Sequence, residues 1–247
     1  MRKLFLQKGQ LTDRFFLSSE QTHHLVTVYR HNWKDPIQIT DSKGASGFYL
    51  IKGLIDGRAQ VELQVLEPID STGGQEHRLE LVLVQSYLKA DKFEWILQKA
   101  CELDVAAIYG VATKNCVAVY KDKKLAAKEA RWQRILVEAS QQCGREKLPH
   151  LETTFSFTDA LQVEKDKGAL LLLAYENEDK QSLKKALQGY KGQRIVLCIG
   201  PEGGYIEEEV QQVQSLGGQS ISLGRTILRA ETAAIAGLSM INYEKRM

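Results

Sequence analysis

The spacing of apolar residues differs between the two parts of the chain. Up to about residue 66, apolar and polar residues alternate in short runs, which is typical of strands with one buried face. The predicted strands cover residues 2–6, 14–17, 36–40, 47–55 and 58–66. One helix is predicted to be capped by Ser19 and to end near Tyr29, and turns are predicted at residues 41–44 and at Asp56-Gly57. These short strands with one helix predict a small barrel-like β domain.

From residue 78 onward, apolar strands alternate with amphipathic helices. The predicted strands cover residues 79–84, 107–111, 169–173, 194–199 and 219–222. The predicted helices cover residues 89–103, 122–143, 181–187, 207–216 and 231–244. This alternation predicts an α/β domain with a mostly parallel sheet and helices on both faces. Residues 67–75 contain Pro68, Gly73 and Gly74 and are predicted to be a linker, so we expect domains at 1–70 and 76–247.

Two strands of the second part run into loops just before a helix begins. The first loop is Gly200-Pro201-Glu202-Gly203-Gly204, and about twenty residues later comes the second, Leu223-Gly224-Arg225-Thr226-Ile227-Leu228-Arg229-Ala230. Glycine lets a ligand approach main-chain groups closely, and Pro201 stiffens the turn. Because small ligands bind beyond the carboxyl ends of strands in open α/β sheets, the two loops predict one pocket. Taken alone, the first loop also fits an ordinary strand-to-helix turn.

The side chains and spacing of these loops narrow the range of ligands. Ile227 and Leu228 need an apolar neighbour, and a flat heterocycle is one candidate. Neither loop has the Gly-x-Gly-x-x-Gly or Gly-x-x-x-x-Gly-Lys-Ser/Thr spacing, which disfavours a dinucleotide site of the Rossmann type and a P-loop. The helix after Glu231 is rich in small side chains between Thr232 and Ile241, which allows close packing against another element.

Composition indicates a globular protein of the cytoplasm. Of 247 residues, 43% are hydrophobic and 26% are charged, and the sequence contains no apolar run long enough to span a membrane. The amino terminus lacks the features of a signal peptide. The four cysteines are scattered without metal-ligand spacing, so we expect reduced thiols and no bound metal.

The formal net charge is only +2, but its distribution is uneven. Between Lys114 and Lys147 there are nine basic and four acidic residues. This basic stretch could lie along a phosphate backbone, or it could be an ordinary solvated helix face.

With both loops in view, the sequence resembles the RsmE family, the 16S rRNA uridine-N3 methyltransferases of the SPOUT (trefoil-knot) superfamily. The resemblance covers nearly the whole chain. Its most specific motifs are Gly200-Pro201-Glu202-Gly203-Gly204, Leu223-Gly224-Arg225, Ile227-Leu228-Arg229 and Glu231-Thr232-Ala233. Elsewhere it includes His24-Leu25, Arg30, Lys89, Asp91-Lys92, Glu94, Gln98-Lys99, Glu102-Leu103, Trp132, Glu138-Ala139 and Gly144-Arg145.

The resemblance implies a SPOUT trefoil-knotted parallel-sheet domain preceded by a small PUA-like RNA-binding β-barrel domain. S-adenosyl-L-methionine (SAM) would bind where the two loops form the knot, and the substrate would be 16S rRNA of the small ribosomal subunit. A homodimer is implied, and the helix after Glu231 and the helix at 122–143 are the interface candidates. The implied cofactor-binding residues are Leu173, Tyr175, Ile199, Gly200, Pro201, Glu202, Gly203, Gly204, Leu223, Gly224, Ile227, Leu228, Thr232 and Ala233. The implied RNA-binding residues are Arg30, Lys89, Lys92 and Arg145.

Methylation of uridine N3 requires charge stabilisation and removal of an imide proton. We expect Arg229 to stabilise the negative charge that develops on the uracil. Glu231 is a candidate general base, although a carboxylate that opens a helix is more often a cap. Because N3 takes part in base pairing, the target must be unpaired or displaced.

Three positions depart from the family pattern, and two other functions remain open. Asp104 stands where the family usually has Gly, Asn115 stands where Arg is common, and residues 31–35 lack the usual Gly-Asp turn. The alternatives are a SPOUT enzyme that methylates a ribose 2′-hydroxyl, and a catalytically silent RNA-binding factor of ribosome assembly. Intact cofactor loops argue against the silent factor.

Overall fold

The computed structural model of the chain describes residues 2–6, 11–41, 45–66, 79–118, 120, 122–145 and 147–246. The chain divides into two compact units, Met1–Gln75 with Gln141–Lys147, and Glu76–Ser140 with Leu148–Met247. The predicted second domain was continuous, whereas the contacts group Gln141–Lys147 with the first unit, in which Lys3 Nζ donates to the carbonyl of Gly144 at 3.1 Å. The predicted linker at 67–75 and residues 42–44 of the predicted turn lie outside the described residues.

The first unit contains a five-stranded sheet within the described residues. Its strands are β1 Arg2–Phe5, β2 Arg14–Phe16, β3 Ile37–Thr40, β4 Ser46–Ile55 and β5 Arg58–Leu66, in the order β1-β3-β4-β5-β2. The pair β1 and β3 is parallel, and the other pairs are antiparallel. The predicted hairpin is confirmed, because Asp56 and Gly57 have φ angles of 50° and 73° between β4 and β5. Apolar side chains of these strands, among them Ile37, Ile39 and Val61, form the core of the unit.

The helix of the first unit differs from its prediction. Helix α1 covers Ser19–His23 and continues as a π-helical segment at His24–Val28. Ser18 is the capping residue, not Ser19, since its hydroxyl accepts from the N–H of Gln21 while the Gln21 side chain accepts from the N–H of Ser18. Two adjacent serines made the start of the helix ambiguous in the sequence, and this reciprocal pair decides it.

The second unit is an α/β domain with a parallel sheet, as predicted. Its strands are β6 Glu80–Ser86, β7 Ala107–Val111, β8 His150–Glu152, β9 Leu170–Ala174, β10 Arg194–Ile199 and β11 Gln219–Ile221. Its helices are α2 Lys92–Glu102, α3 Asp122–Cys143, α4 Phe157–Asp166, α5 Leu183–Leu187, α6 Glu207–Ser215 and α7 Ala230–Arg246. The strand order is β11-β9-β10-β6-β7-β8. Strand β8 and helix α4 are additions that the sequence analysis did not predict.

Helices cover both faces of this sheet. Leu81 and Leu83 of β6 belong to a buried cluster with side chains of α2, α3, α5 and α7. Val82 and Val84 point to the opposite face and pack with side chains of α4 and α6. Burial on both faces explains why these strands are continuous apolar runs without alternation. Among the residues that the structure describes, no helix is long and apolar enough to cross a membrane.

The small side chains of α7 allow it to lie close to the sheet. A Cβ on Gly237 would come within 2.7 Å of Leu197 Cδ2 on β10, so only glycine fits at this approach without a shift of the leucine. This strand carries the first glycine loop, and the helix follows the second loop. Close packing of α7 against β10 therefore fixes the position of the first loop relative to the second.

Asp104, one of the three departures from the family pattern, occupies a backbone conformation that favours glycine. Its φ is 59°, and its carboxylate accepts from Arg246 Nη1 at 3.1 Å. Aspartate tolerates this region better than most residues. The position therefore has a backbone geometry that glycine would adopt without strain, while the aspartate side chain adds a contact to the end of α7.

We expect Asp104→Ala to lower the free energy of unfolding by about 1 kcal/mol more than Asp104→Gly does. Both variants lose the hydrogen bond from Arg246 to the Asp104 carboxylate and keep those to its carbonyl, but only alanine keeps a Cβ in the left-handed region, which costs about 1–2 kcal/mol. Chemical denaturation measures the difference, with Glu102→Ala as the control at a neighbouring exposed position. Equal stability of the two Asp104 variants would contradict the assignment of strain.

Candidate functional site

A cavity of about 520 Å³ lies beyond the carboxyl ends of β9, β10 and β11. The two glycine-containing loops form its walls, although α6 and β11 separate them in the sequence. The loop after β9 and the first turn of α7 complete it. The predicted convergence of the two loops on one pocket is therefore observed.

The conformation of the first loop is maintained by its glycines and by the side chain of Asn115, which lies outside the loop. Gly204 has a φ of 68° and donates its N–H to the carbonyl of Pro201 at 3.0 Å, which closes the turn. Asn115 Nδ2 donates to the carbonyls of Gly203 at 3.0 Å and Gly204 at 3.1 Å. A Cβ on Gly203 would lie 3.0 Å from the Cβ of Asn115. The asparagine at this departure from the family pattern thus contacts the main chain of the loop directly.

Lys92 lies between two carboxylates on one wall of the cavity. Its Nζ is 3.5 Å from Glu202 Oε1 and 3.5 Å from Glu231 Oε2. The N–H of Lys89 donates to Glu202 Oε1 at 3.2 Å. Burial raises the pKa of Glu202. Its own N–H and that of Lys89 donate hydrogen bonds to the carboxylate, and Lys92 adds a positive charge nearby. Together these outweigh burial and hold the pKa of Glu202 below its usual value. Glu202 is therefore ionised at neutral pH and links the first loop to the start of α2.

Glu231 differs from Glu202 in its hydrogen bonding. Its Oε2 is buried and accepts no hydrogen bond from the described residues, although Lys92 is close enough for an ion pair. Glu231 lies in the first turn of α7 and lines the cavity. A buried carboxylate oxygen without a donor is an acceptor that a bound molecule with an N–H or O–H group would satisfy.

The second loop presents both apolar and cationic groups. Leu228 packs against the buried cluster of the sheet, whereas Ile227 is 83% exposed. Leu228 therefore has the predicted apolar neighbour within the protein, whereas an apolar contact of Ile227 with a bound ligand stays a prediction. Arg225 and Arg229 are exposed and line the cavity.

The structure brings most of the predicted site residues together. Those that line the cavity are Tyr175, Ile199, Gly200, Pro201, Glu202, Gly203, Gly204, Leu223, Gly224, Ile227, Leu228, Arg229, Glu231, Ala233 and Lys92. Leu173 and Thr232 do not line it. Leu173 is fully buried on the face of the sheet that packs against α4 and α6, and Thr232 is exposed. Each residue is adjacent in sequence to a residue that lines the cavity. Neighbouring side chains in a strand or a helix point in different directions, so Leu173 and Thr232 point away from the cavity.

The four predicted RNA-binding residues lie in different surroundings. Lys92 is engaged with Glu202 and Glu231, and Lys89 contributes its N–H to the same network. Arg30 has a φ of 46° and belongs to the first unit. Arg145 also groups with the first unit and donates to the carbonyl of Lys147 at 3.0 Å.

Part of the basic stretch between Lys114 and Lys147 is neutralised. Lys128 and Arg131 of α3 both contact Glu94 of α2, at 3.2 Å and 2.7 Å. These two cations therefore connect α3 to α2, and Glu94 neutralises one of their two positive charges.

Several residues of the cavity were not predicted from the sequence. Glu176 and Ser222 line it, each just beyond the carboxyl end of a strand. That position was the available signal, because the carboxyl ends of parallel strands share one edge of the sheet. Asn115 was noted only as a departure from the family, since its contacts with the loop are distant in sequence.

Comparison with known proteins identifies the family. Residues 75–242 match the family described as RNA methyltransferase domain. The chain is 30% identical over 256 residues to the ribosomal RNA small subunit methyltransferase E of Bacillus subtilis, with 100% of this chain and 98% of that protein covered. It is 31% identical to the protein of the same name from Mesomycoplasma hyopneumoniae, with 95% and 96% covered.

A solved structure supports the same assignment. The crystal structure of a ribosomal RNA small subunit methyltransferase E from Neisseria gonorrhoeae, bound to S-adenosyl methionine, has a TM-score of 0.80 and 29% identity, with 99% of this chain and 98% of that chain covered. The family match covers most of the second unit, and these three proteins match over at least 95% of both chains. The chain therefore belongs to the RNA methyltransferase family, among the ribosomal RNA small subunit methyltransferase E proteins.

Proposed function

We propose that this protein transfers the methyl group of SAM to N3 of a uridine in 16S rRNA of the small ribosomal subunit. The observation that carries the proposal is the convergence of the two glycine-containing loops on one cavity at the carboxyl ends of β9, β10 and β11. Family membership supports the methyl-transfer chemistry, and the relative from Neisseria gonorrhoeae binds SAM.

The cavity fits SAM in size and in chemistry. Sites for small molecules usually measure about 300–1,000 Å³, and this cavity measures about 520 Å³. Ile199, Leu223 and Leu228 offer apolar contacts for an adenine ring, and the main chain of Gly200–Gly204 offers hydrogen-bonding groups. When bound, SAM supplies a methyl group on a sulfonium ion. Transfer of that methyl group converts the sulfonium ion into a neutral thioether.

The residues of the chain provide orientation and electrostatics for that transfer. Arg229 lines the cavity with an exposed guanidinium, where it would stabilise the negative charge that spreads over O2, N3 and O4 of the uracil. Glu231 lines the cavity and has a carboxylate oxygen without a hydrogen-bond donor among the described residues, and we assign this carboxylate as the acceptor of the N3 proton. Lys92 keeps the Glu231 side chain in place through their ion pair.

The proposal extends to the rest of the molecule. The first unit would be a PUA-like RNA-binding barrel that uses Arg30, with Arg145 as a further RNA contact. The two loops would form the trefoil knot of the SPOUT superfamily. The enzyme would be a homodimer in the cytoplasm, where ribosomal subunits mature. Helices α2 and α7 pack side by side and expose three large apolar side chains, Trp95, Met240 and Tyr243. These side chains support a dimer interface on the surface that α2 and α7 form.

The test is methylation of small ribosomal subunits that lack the modification, with labelled SAM and nucleoside mass spectrometry of the digested RNA. We expect 3-methyluridine as the product. A 2′-O-methylated nucleoside would establish the SPOUT ribose methyltransferase instead. SAM binding in calorimetry without any product on free RNA or on subunits would contradict the enzyme assignment for these substrates, and no SAM binding would favour the silent assembly factor.

We expect Asn115→Ala to weaken SAM binding by about tenfold. The variant removes two hydrogen bonds to the carbonyls of Gly203 and Gly204, and each is worth about 0.5–1.5 kcal/mol. Loss of these bonds allows the loop to leave its binding conformation. Isothermal titration with SAM measures the effect, and Gln211→Ala, at an exposed position of α6 that does not line the cavity, is the control. Unchanged affinity in the Asn115 variant would show that the glycines hold the loop without it.

A further inference from the structure

The loop after β9 carries an acidic side chain that the protein itself does not use. Tyr175 donates its hydroxyl to Glu207 at 3.3 Å and accepts from Asn177 Nδ2 at 3.1 Å. Glu178 accepts from the hydroxyl of Ser220 at 2.6 Å. Between them, the carboxylate of Glu176 makes no hydrogen bond or ion pair with any residue that the structure describes. The neighbouring side chains are hydrogen-bonded within the protein, whereas the Glu176 carboxylate does not stabilise this loop through a hydrogen bond or an ion pair of its own.

Glu176 lies in the wall of the cavity, directly against the first glycine loop. A Cβ on Gly204 would overlap with the Glu176 carboxylate, so the glycine leaves room for this side chain to approach the turn. Both residues line the cavity, and Glu176 is exposed to solvent. The carboxylate is thus placed at the mouth of the cavity with both oxygens available to a ligand.

Two carboxylate oxygens match a pair of neighbouring hydroxyl groups. A carboxylate accepts two hydrogen bonds side by side, and acidic residues recognise ribose hydroxyls in this way in other nucleotide sites. The apolar wall of Ile199, Leu223 and Leu228 suits the adenine ring, which leaves the ribose near the solvent-exposed mouth. We propose that Glu176 binds the 2′- and 3′-hydroxyls of the ribose of SAM, an inference that rests on the proposed function.

The experiment compares S-adenosylhomocysteine with its 2′,3′-dideoxy analogue by isothermal titration. The proteins are the wild type, Glu176→Gln and Asp179→Asn. Asp179 is an exposed acid on the same loop that does not line the cavity, so its variant makes the same change of charge without touching the site. We expect Glu176→Gln to weaken binding of S-adenosylhomocysteine by about tenfold, because a hydrogen bond to a charged acceptor is lost. Asp179→Asn leaves the affinity unchanged.

The dideoxy analogue identifies the group that Glu176 contacts. It keeps the adenine amino group and the ammonium group, so we expect equal affinity of wild type and Glu176→Gln for it. A tenfold penalty that persists with the analogue would overturn the proposal, because the carboxylate would then recognise one of the amines. Equal affinity of both proteins for S-adenosylhomocysteine would overturn it as well. If the wild type binds neither compound, the proposed function itself fails, which is a separate outcome.

Discussion

Replacing Arg229 with alanine is expected to lower the rate of methyl transfer in a single turnover by about 10²–10³-fold, while the affinity for SAM stays within about twofold. Arg229 is exposed in the cavity wall, so its removal leaves the fold intact. The loss arises because the charge that develops on the uracil no longer has a cation placed in advance to receive it. Rapid-quench methylation of unmodified small subunits measures the rate, and calorimetry measures SAM binding.

The matched control for this experiment is Arg229→Lys. Lysine keeps the charge at the same position but lacks the planar fork of donors, so we expect an intermediate rate. Arg225→Ala, on the same loop, separates a general loss of positive charge from a specific role. If Arg229→Ala turns over at the wild-type rate, the residue has no part in the chemical step.

A second large effect is expected far from the cavity. Glu164 of α4 is fully buried and accepts hydrogen bonds from Tyr109 at 2.6 Å, from Lys167 at 2.9 Å and from Arg194. Glu164→Ala should lower the free energy of unfolding by about 3–5 kcal/mol, because it leaves the largely buried Arg194 without this partner. Urea denaturation measures it. Asp166→Asn, at an exposed position of the same helix, is the control and should have little effect.

The same network makes stability depend on pH. Burial raises the pKa of Glu164, but hydrogen bonds from Arg194, Tyr109 and Lys167 outweigh burial and lower that pKa below its usual value. The stabilisation is therefore fully present above the pKa of an unfolded glutamate and is lost as the pH falls through the lowered folded value. We expect the wild type to lose more stability than Glu164→Ala between neutral and acidic pH. Parallel loss in both proteins would show that other carboxylates dominate.

Several elements could be predicted because local sequence decides them. Strands β5, β7 and β10 and helix α3 have the predicted bounds, since apolar periodicity and turn residues mark their ends. The missed helix α4 also had a local signal. Ser156 and Asp159 form a reciprocal cap at its start, with each side chain accepting from the main-chain N–H of the other. The start of α4 could therefore have been predicted from the sequence alone.

Other features depend on residues that are distant in the sequence. The contacts of Asn115 with Gly203 and Gly204 join positions almost ninety residues apart. Leu173 was predicted to bind the cofactor and instead packs against α4 and α6, because the register of β9 turns it to that face. The register between β9 and its neighbouring strands cannot be predicted from the sequence alone, because it depends on residues that are distant in the chain.

The sequence by itself determined the parallel α/β unit and the two loops with their glycines, because periodicity and backbone freedom are local properties. Only the tertiary structure decided which side chains these loops meet. Lys92 joins Glu202 to Glu231, and Glu176 lies against Gly204. Those contacts arise where strand ends that are far apart in the chain come to one edge of the sheet, and packing of the helices on both faces sets their distances.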